Sequence, residues 1–67
     1  MRLRGKIIAL NTDSVRPEYG IVCEGESGMF SFPVDGRFLH DLIEREGRIF
    51  DRNIEYDDER KELRFLD

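Results

Sequence analysis

Few side chains in this sequence carry reactive chemistry. His40 is the single histidine, and no nucleophile or second base is placed with it as general acid–base work requires. Its place beside Asp41 predicts a solvent-exposed residue on the outer side of a helix. Cys23 is the single cysteine, so it forms no internal disulfide, and its position after Val22 predicts a small half-buried side chain rather than a reactive thiol. Glu55, Asp57, Asp58 and Glu59 are dense enough to attract a divalent cation, but they lack the glycine and terminal glutamate of a calcium loop. A solvated hairpin tip is the expectation for them. The residues thus predict no catalytic site, no metal and no cofactor. What they leave is binding chemistry: Arg2, Arg4 and Lys6 fall within six residues with no acid among them, as either a phosphate-neutralising row or a solvated strand face.

The totals narrow the setting. At 67 residues the chain is read as one domain over 1–67, a size that buries only about 60% of the surface of its unfolded chain. Stability has to come from packing, with association as a further source. Hydrophobic and charged residues each make up 39%, enough apolar content to fold. The formal charge of −4, from 11 basic and 15 acidic residues, weighs against generic nucleic-acid affinity. The basic start and the acid-rich stretch from Asp51 onward are nevertheless separated, which leaves room for a local positive patch. The opening MRLRGKII is too short an apolar run for a signal peptide or a membrane span. A cytoplasmic protein without membrane association is expected.

The elements that position these residues follow from periodicity. In RLRGKIIAL, residues 2–10, Leu3, Ile7 and Ala9 share one parity and Arg2, Arg4 and Lys6 the other, as in a half-buried strand, and Gly5 suits a bulge or a close backbone approach. After a polar loop, YGIVCE is a second strand, GESG a turn, and MFSFPV a third strand in which Pro33 marks an end or an edge. The period then changes. Phe38, Leu39, Leu42 and Ile43 form one stripe of an amphipathic helix, with Asp35 as N-cap and Gly47 as C-terminal stop. Arg37 with Asp41, and Asp41 with Arg45, are expected to pair on its outer face. The remainder is a predicted hairpin, Phe50, Ile54 and Tyr56 sharing a parity in one arm and Leu63 and Phe65 in the other, with DDERKE at the tip. Three strands, a helix and two strands predict an all-β small barrel of the OB-fold type, five-stranded and antiparallel, with one helix between strands 3 and 4. An SH3-like barrel ranks second, because it usually lacks such a helix.

The strand sequences resemble a cold-shock domain. That family reads G-K-V-K-W-F-N, a polar loop, G-F/Y-G-F-I, a turn and V-F-V-H-F. The corresponding segments here are Gly5-Lys6-Ile7-Ile8-Ala9-Leu10-Asn11, Glu18-Tyr19-Gly20-Ile21-Val22 and Met29-Phe30-Ser31-Phe32-Pro33. Glu46-Gly47 before an apolar, acid-flanked strand is similar to the family's E-G-x-x-V-x-F, with a slip at Arg52. About half of the chain matches in this sense. The resemblance implies weak binding of single-stranded RNA or DNA, with Tyr19, Phe30 and Phe32 at base-stacking positions and Lys6 at a phosphate-contacting one. Ala9 stands where the family has tryptophan, Ile21 and Pro33 where it has aromatics, Ile8 and Glu18 where it has lysines. Each stacked base is worth roughly 1 to 3 kcal/mol, so three missing rings remove about 3 kcal/mol, roughly a hundredfold in affinity. The loop from Asn11 to Glu18 brings Arg16 as a replacement charge.

Parity decides what the rings do. Phe30 and Phe32 point the same way. If outward, they form a platform with Tyr19, at the cost of two exposed phenylalanines and a serine in the core. If inward, the core is better filled and the platform vanishes. Two functions are therefore expected: a nucleic-acid-binding module using Lys6, Arg16, Tyr19, Phe30 and Phe32, or a protein-interaction or homodimerising domain using Ile8, Ala9, Ile21, Phe30, Phe32 and Pro33 as an apolar patch rimmed by charge.

Overall fold

The computed structural model describes residues 1–12 and 18–67. Its elements are β1 (Arg2–Thr12), β2 (Glu18–Gly25), β3 (Gly28–Asp35), α1 (Gly36–Glu46), β4 (Asn53–Asp57) and β5 (Glu62–Phe65). All strand pairs are antiparallel and the sheet order is β3-β2-β1-β4-β5. The expected five strands and the helix between the third and fourth are present. Among the described residues β3 and β5 form no ladder, so the sheet is open at that seam.

β1 is long enough to serve two neighbours. Its first half pairs with β4, from Arg2 opposite Asp57 to Lys6 opposite Asn53, and its second half with β2, from Lys6 opposite Glu24 to Thr12 opposite Tyr19. At the changeover the register slips between Ile7 and Ala9, a β-bulge centred on Ile8. The bulge alters the expected alternation. Ile7 opposes buried Cys23 and faces the core, while Ala9 opposes Val22 on the outer face and Leu10 opposes buried Ile21. Ala9 therefore does not share the face of Leu3 and Ile7. Gly5 serves the close approach rather than the bulge: a Cβ there would stand 2.7 Å from the Glu24 carbonyl oxygen and 3.0 Å from the Phe30 ring.

The inner face carries Ile7, Ile21, Cys23, Phe32, Ile54 and Tyr56, joined by Leu39 and Leu42 of α1 and by Ile49. β3 and β4 are three strand spacings apart in the sheet, about 14 Å if it were flat. Phe32 of β3 and Tyr56 of β4 nevertheless stack with ring centroids 3.8 Å apart and planes 7° from parallel. The sheet must curl strongly for these rings to meet.

α1 begins where the sequence places it. The Asp35 carboxylate accepts the Phe38 amide at 2.7 Å, satisfying one of the first-turn donors. Gly47, at φ 75°, ends the helix and its amide donates to the Ile43 carbonyl at 2.8 Å. Only Leu39 and Leu42 of the apolar stripe are buried; Phe38 and Ile43 stay exposed. The outer face departs from the expected pairing. Asp41 lies near His40 at 3.8 Å, His40 also faces Glu44 at 3.4 Å, and Arg45 pairs with its neighbour Glu46. Arg52 ties the helix end to the last strand: it stacks on Phe65 at 4.3 Å and donates to Glu46, to the Arg48 carbonyl and to Asp67. Among the described residues no helix is long and apolar enough to cross a membrane.

If the Phe32–Tyr56 stack holds the curl, Phe32→Ala will cost about 3–5 kcal/mol, most of the stability of a domain this small. Exposed Phe50→Ala will cost less than about 1 kcal/mol. Urea unfolding of both variants checks this, and equal losses would show that the stack is dispensable.

Candidate interaction face

All three rings expected at stacking positions turn to the inner side. Phe32 is 4% exposed and stacked on Tyr56. Phe30, opposite Cys23 in the β2–β3 ladder, is half-buried and its ring lies over Gly5 and Gly25. Tyr19, opposite Val34, is half-buried with its ring against the start of α1, where a Cβ on Gly36 would meet it at 3.1 Å. The inward alternative of the parity argument is the one realised. Met29, Ser31 and Pro33 take the outer positions of β3, with Met29 67% exposed. The aromatic platform is therefore not displayed on the outer face. Of the apolar patch, Ile21, Phe30 and Phe32 likewise lie on the inner side, leaving Ile8, Ala9 and Pro33. The reason is the core's need for volume, since the opposite parity would have placed a serine there.

Lys6 is exposed on the outer face between Glu24 and Asn53. Arg16 lies outside the described residues. The expected site residues are thus not gathered at one place: Lys6 and Phe30 line an open trough of about 1130 Å³ with Arg2, Arg4, Glu24 and Leu66, whereas Tyr19 and Phe32 border a hollow of about 290 Å³ beside Pro33.

The outer face has two chemically distinct halves. Over β1–β2–β3 the two central cross-strand rows are Ala9–Val22–Ser31 and Asn11–Gly20–Pro33, with no charge and no aromatic ring in either, and they lie between the charged rows Lys6–Glu24–Met29 and Glu18–Asp35. Over β1–β4–β5 the central row is Arg4–Glu55–Arg64. The Glu55 side chain is covered by three guanidiniums: Arg4 Nε donates to Oε2 at 2.9 Å, Arg64 Nη2 to Oε1 at 3.2 Å, and Arg2 Nη1 stands 3.9 Å away. The Arg4 hydrogen bond, aided by the fields of Arg64 and Arg2, holds the Glu55 carboxyl below its ordinary 4.5.

This placement corrects one expectation. Glu55 is not part of the solvated tip; it sits under arginines on β4, and Asp57, Asp58 and Glu59 carry the turn, with Asp57 Oδ1 accepting the amides of Glu59 and Arg60. Arg64 and Val22 are contributors that the sequence reading left out. The alternation Ile54-Glu55-Tyr56 against Leu63-Arg64-Phe65 carried the signal for Arg64, since it puts both charged residues on one face. Cys23 is fully buried, more so than expected, and burial pushes its thiol up to about 11, which leaves it protonated at neutral pH. His40, Asp41 and Glu44 come within 4.8 Å of one another on the exposed side of α1.

No family model, curated protein or solved structure matches the chain.

Because the folded-state pKa of Glu55 is depressed, its contribution to stability is present above about pH 4.5 and is lost as pH falls through the folded value. Glu55→Gln should be less stable than the parent at neutral pH, the gap narrowing as pH falls below the ordinary carboxylate range. Urea midpoints across this range test it. A gap independent of pH would mean that Glu55 titrates as it does in the unfolded chain.

Proposed function

We propose that this chain is a binding module whose partner is a protein surface, received by the uncharged outer face of β1–β3. The observation that carries this reading is the inward orientation of Phe30 and Phe32. It removes the stacking rings and leaves Ala9, Val22, Ser31, Gly20 and Pro33 as a short-side-chain surface, flanked by Ile8 and Met29. Charge-poor centres with charged borders suit protein interfaces, and here Lys6, Glu24, Glu18 and Asp35 form the border. We further infer that the curled sheet is an OB-type barrel left open between β3 and β5. The strand order, the helix position and the Phe32–Tyr56 contact across the curl support that assignment.

A second reading, the single-stranded nucleic-acid binding implied by the cold-shock resemblance, is favoured by the trough in which Arg2, Arg4 and Lys6 lie beside the half-buried Phe30 ring. It ranks lower because the same trough also holds Glu24, Glu26 and Asp51, which repel phosphates.

A photo-crosslinking residue at Ser31 should capture a defined protein partner in cells, or a second copy of this chain, and the capture should be lost on Val22→Glu. The same residue at Glu44, on the exposed side of α1, should capture neither. Amide-shift titration with oligo-dT and a mixed RNA at low salt should leave residues 6, 19, 30 and 32 unmoved. Salt-sensitive shifts at those residues, without a Ser31 crosslink, would replace the protein reading by the nucleic-acid one.

A further inference from the structure

One carboxylate needs one guanidinium for neutralisation, yet three converge on Glu55. Only two N–H groups among the three arginine forks hydrogen-bond to it, one from Arg4 and one from Arg64; Arg2 at 3.9 Å is an ion pair without a hydrogen bond. The three arginine side chains are 67, 72 and 68% exposed while Glu55 beneath them is 8% exposed. The Arg4 and Arg64 heads are thus anchored from below and open above, and a guanidinium presents five donors in a rigid fork. Asp57 feels the field of Arg2, but its Oδ1 is occupied by the amides of the tip. With Asp57 and Glu62 of the next row counted, the face is balanced, and the positive excess is local to the row Arg4–Glu55–Arg64, where two arginines flank the one buried carboxylate that fixes them in place.

We propose that Arg2, Arg4 and Arg64 form an oxyanion site that accepts a phosphate or carboxylate group. Glu55 is its positioning residue. It holds the Arg4 and Arg64 forks on either side of one carboxylate, so that their remaining N–H groups serve a second anion placed above. Bidentate recognition of oxyanions by paired guanidiniums is the strongest charge-assisted hydrogen bonding available to a protein surface. The site adjoins the uncharged face through β1, so the anion is carried by the same protein partner, as an acidic or phosphorylated side chain at the edge of its apolar contact. That assignment of the carrier rests on the protein-interface reading; the oxyanion site itself does not.

The test is a titration of the whole chain with inorganic phosphate, and separately with acetate, at constant ionic strength held by chloride, followed at the arginine Nε–Hε resonances. Saturable shifts of Arg2, Arg4 and Arg64, with Arg48 and Arg45 unmoved, are expected. Arg64→Gln, on an edge strand where the fold tolerates it, should weaken phosphate binding about tenfold. Arg48→Gln should leave it unchanged. If Arg64→Gln fails to fold, Arg2→Gln serves, with a smaller loss because Arg2 makes no hydrogen bond to Glu55. No saturable shift as phosphate replaces chloride, or shifts that are equal at Arg48, would overturn the site. Phosphate binding without a Ser31 crosslink would keep the site and remove the protein carrier; a Ser31 crosslink without phosphate binding would remove the site and keep the protein interface.

Discussion

The contact between Phe32 and Tyr56 is the one on which the other features depend. It joins strands that are not neighbours in the sheet, and it can form only on the concave side of a curled sheet. Curl brings β3 over β4, gives α1 a pocket for Leu39 and Leu42, and forces β1 to exchange one partner for another along its length. The bulge at Ile8 and the side-chain-free approach of Gly5 to the Glu24 carbonyl lie at or near that exchange. Bulges bend a strand and increase its local twist, so the irregularity in β1 and the stack across the interior are two parts of one deformation.

Once β3 is committed to putting Phe32 inside, strict alternation fixes the rest of that strand. Phe30 follows it inward and Met29, Ser31 and Pro33 face out. The outer face consequently lacks rings on β3, and the bulge moves Ala9 outward beside Val22. An uncharged surface results on one half of the sheet. On the other half no bulge intervenes, and Arg2, Arg4, Glu55, Asp57, Glu62 and Arg64 form cross-strand rows of mixed charge. The division of the outer face into two chemistries is thus a consequence of how the interior is filled.

Much of the fold was legible because it is locally encoded. The alternation in residues 2–7, the turn at GESG, the Asp35 cap and the Gly47 stop all act within a few residues and appear as expected. What was not legible depends on contacts distant in sequence. The slip at Ile8 arises where β1 meets β2 on one side and the segment at Asp51 and Arg52 on the other, with Ile7 bonding to both of the latter. The choice between an inward and an outward Phe32 depends on Tyr56, twenty-four positions later by the residue numbers. Glu55 looked like one more tip acid because its partners Arg2 and Arg4 come from the opposite end of the chain. The site residues shared this fate: their identities were readable, and the side of the sheet they occupy was not.

A short chain has few rings, and where they go limits what its surface can offer. There are seven aromatic residues here, five phenylalanines and two tyrosines, with no tryptophan and no disulfide to supplement the core. Phe32 and Tyr56 fill the interior, Tyr19 seats the helix, Phe30 covers two glycines, and Phe65 lies under Arg52. Only Phe38 and Phe50 are exposed, one at the helix start and one in the segment before β4, too far apart in the fold's elements to form a stacking row on one strand. Large aromatic burial contributes more per residue than any other apolar side chain, and a domain that buries only about 60% of its surface depends on it. A base-stacking platform on the outer face would have to take rings from the core, and the surface that remains carries small apolar side chains on one half of the sheet and arginine forks on the other.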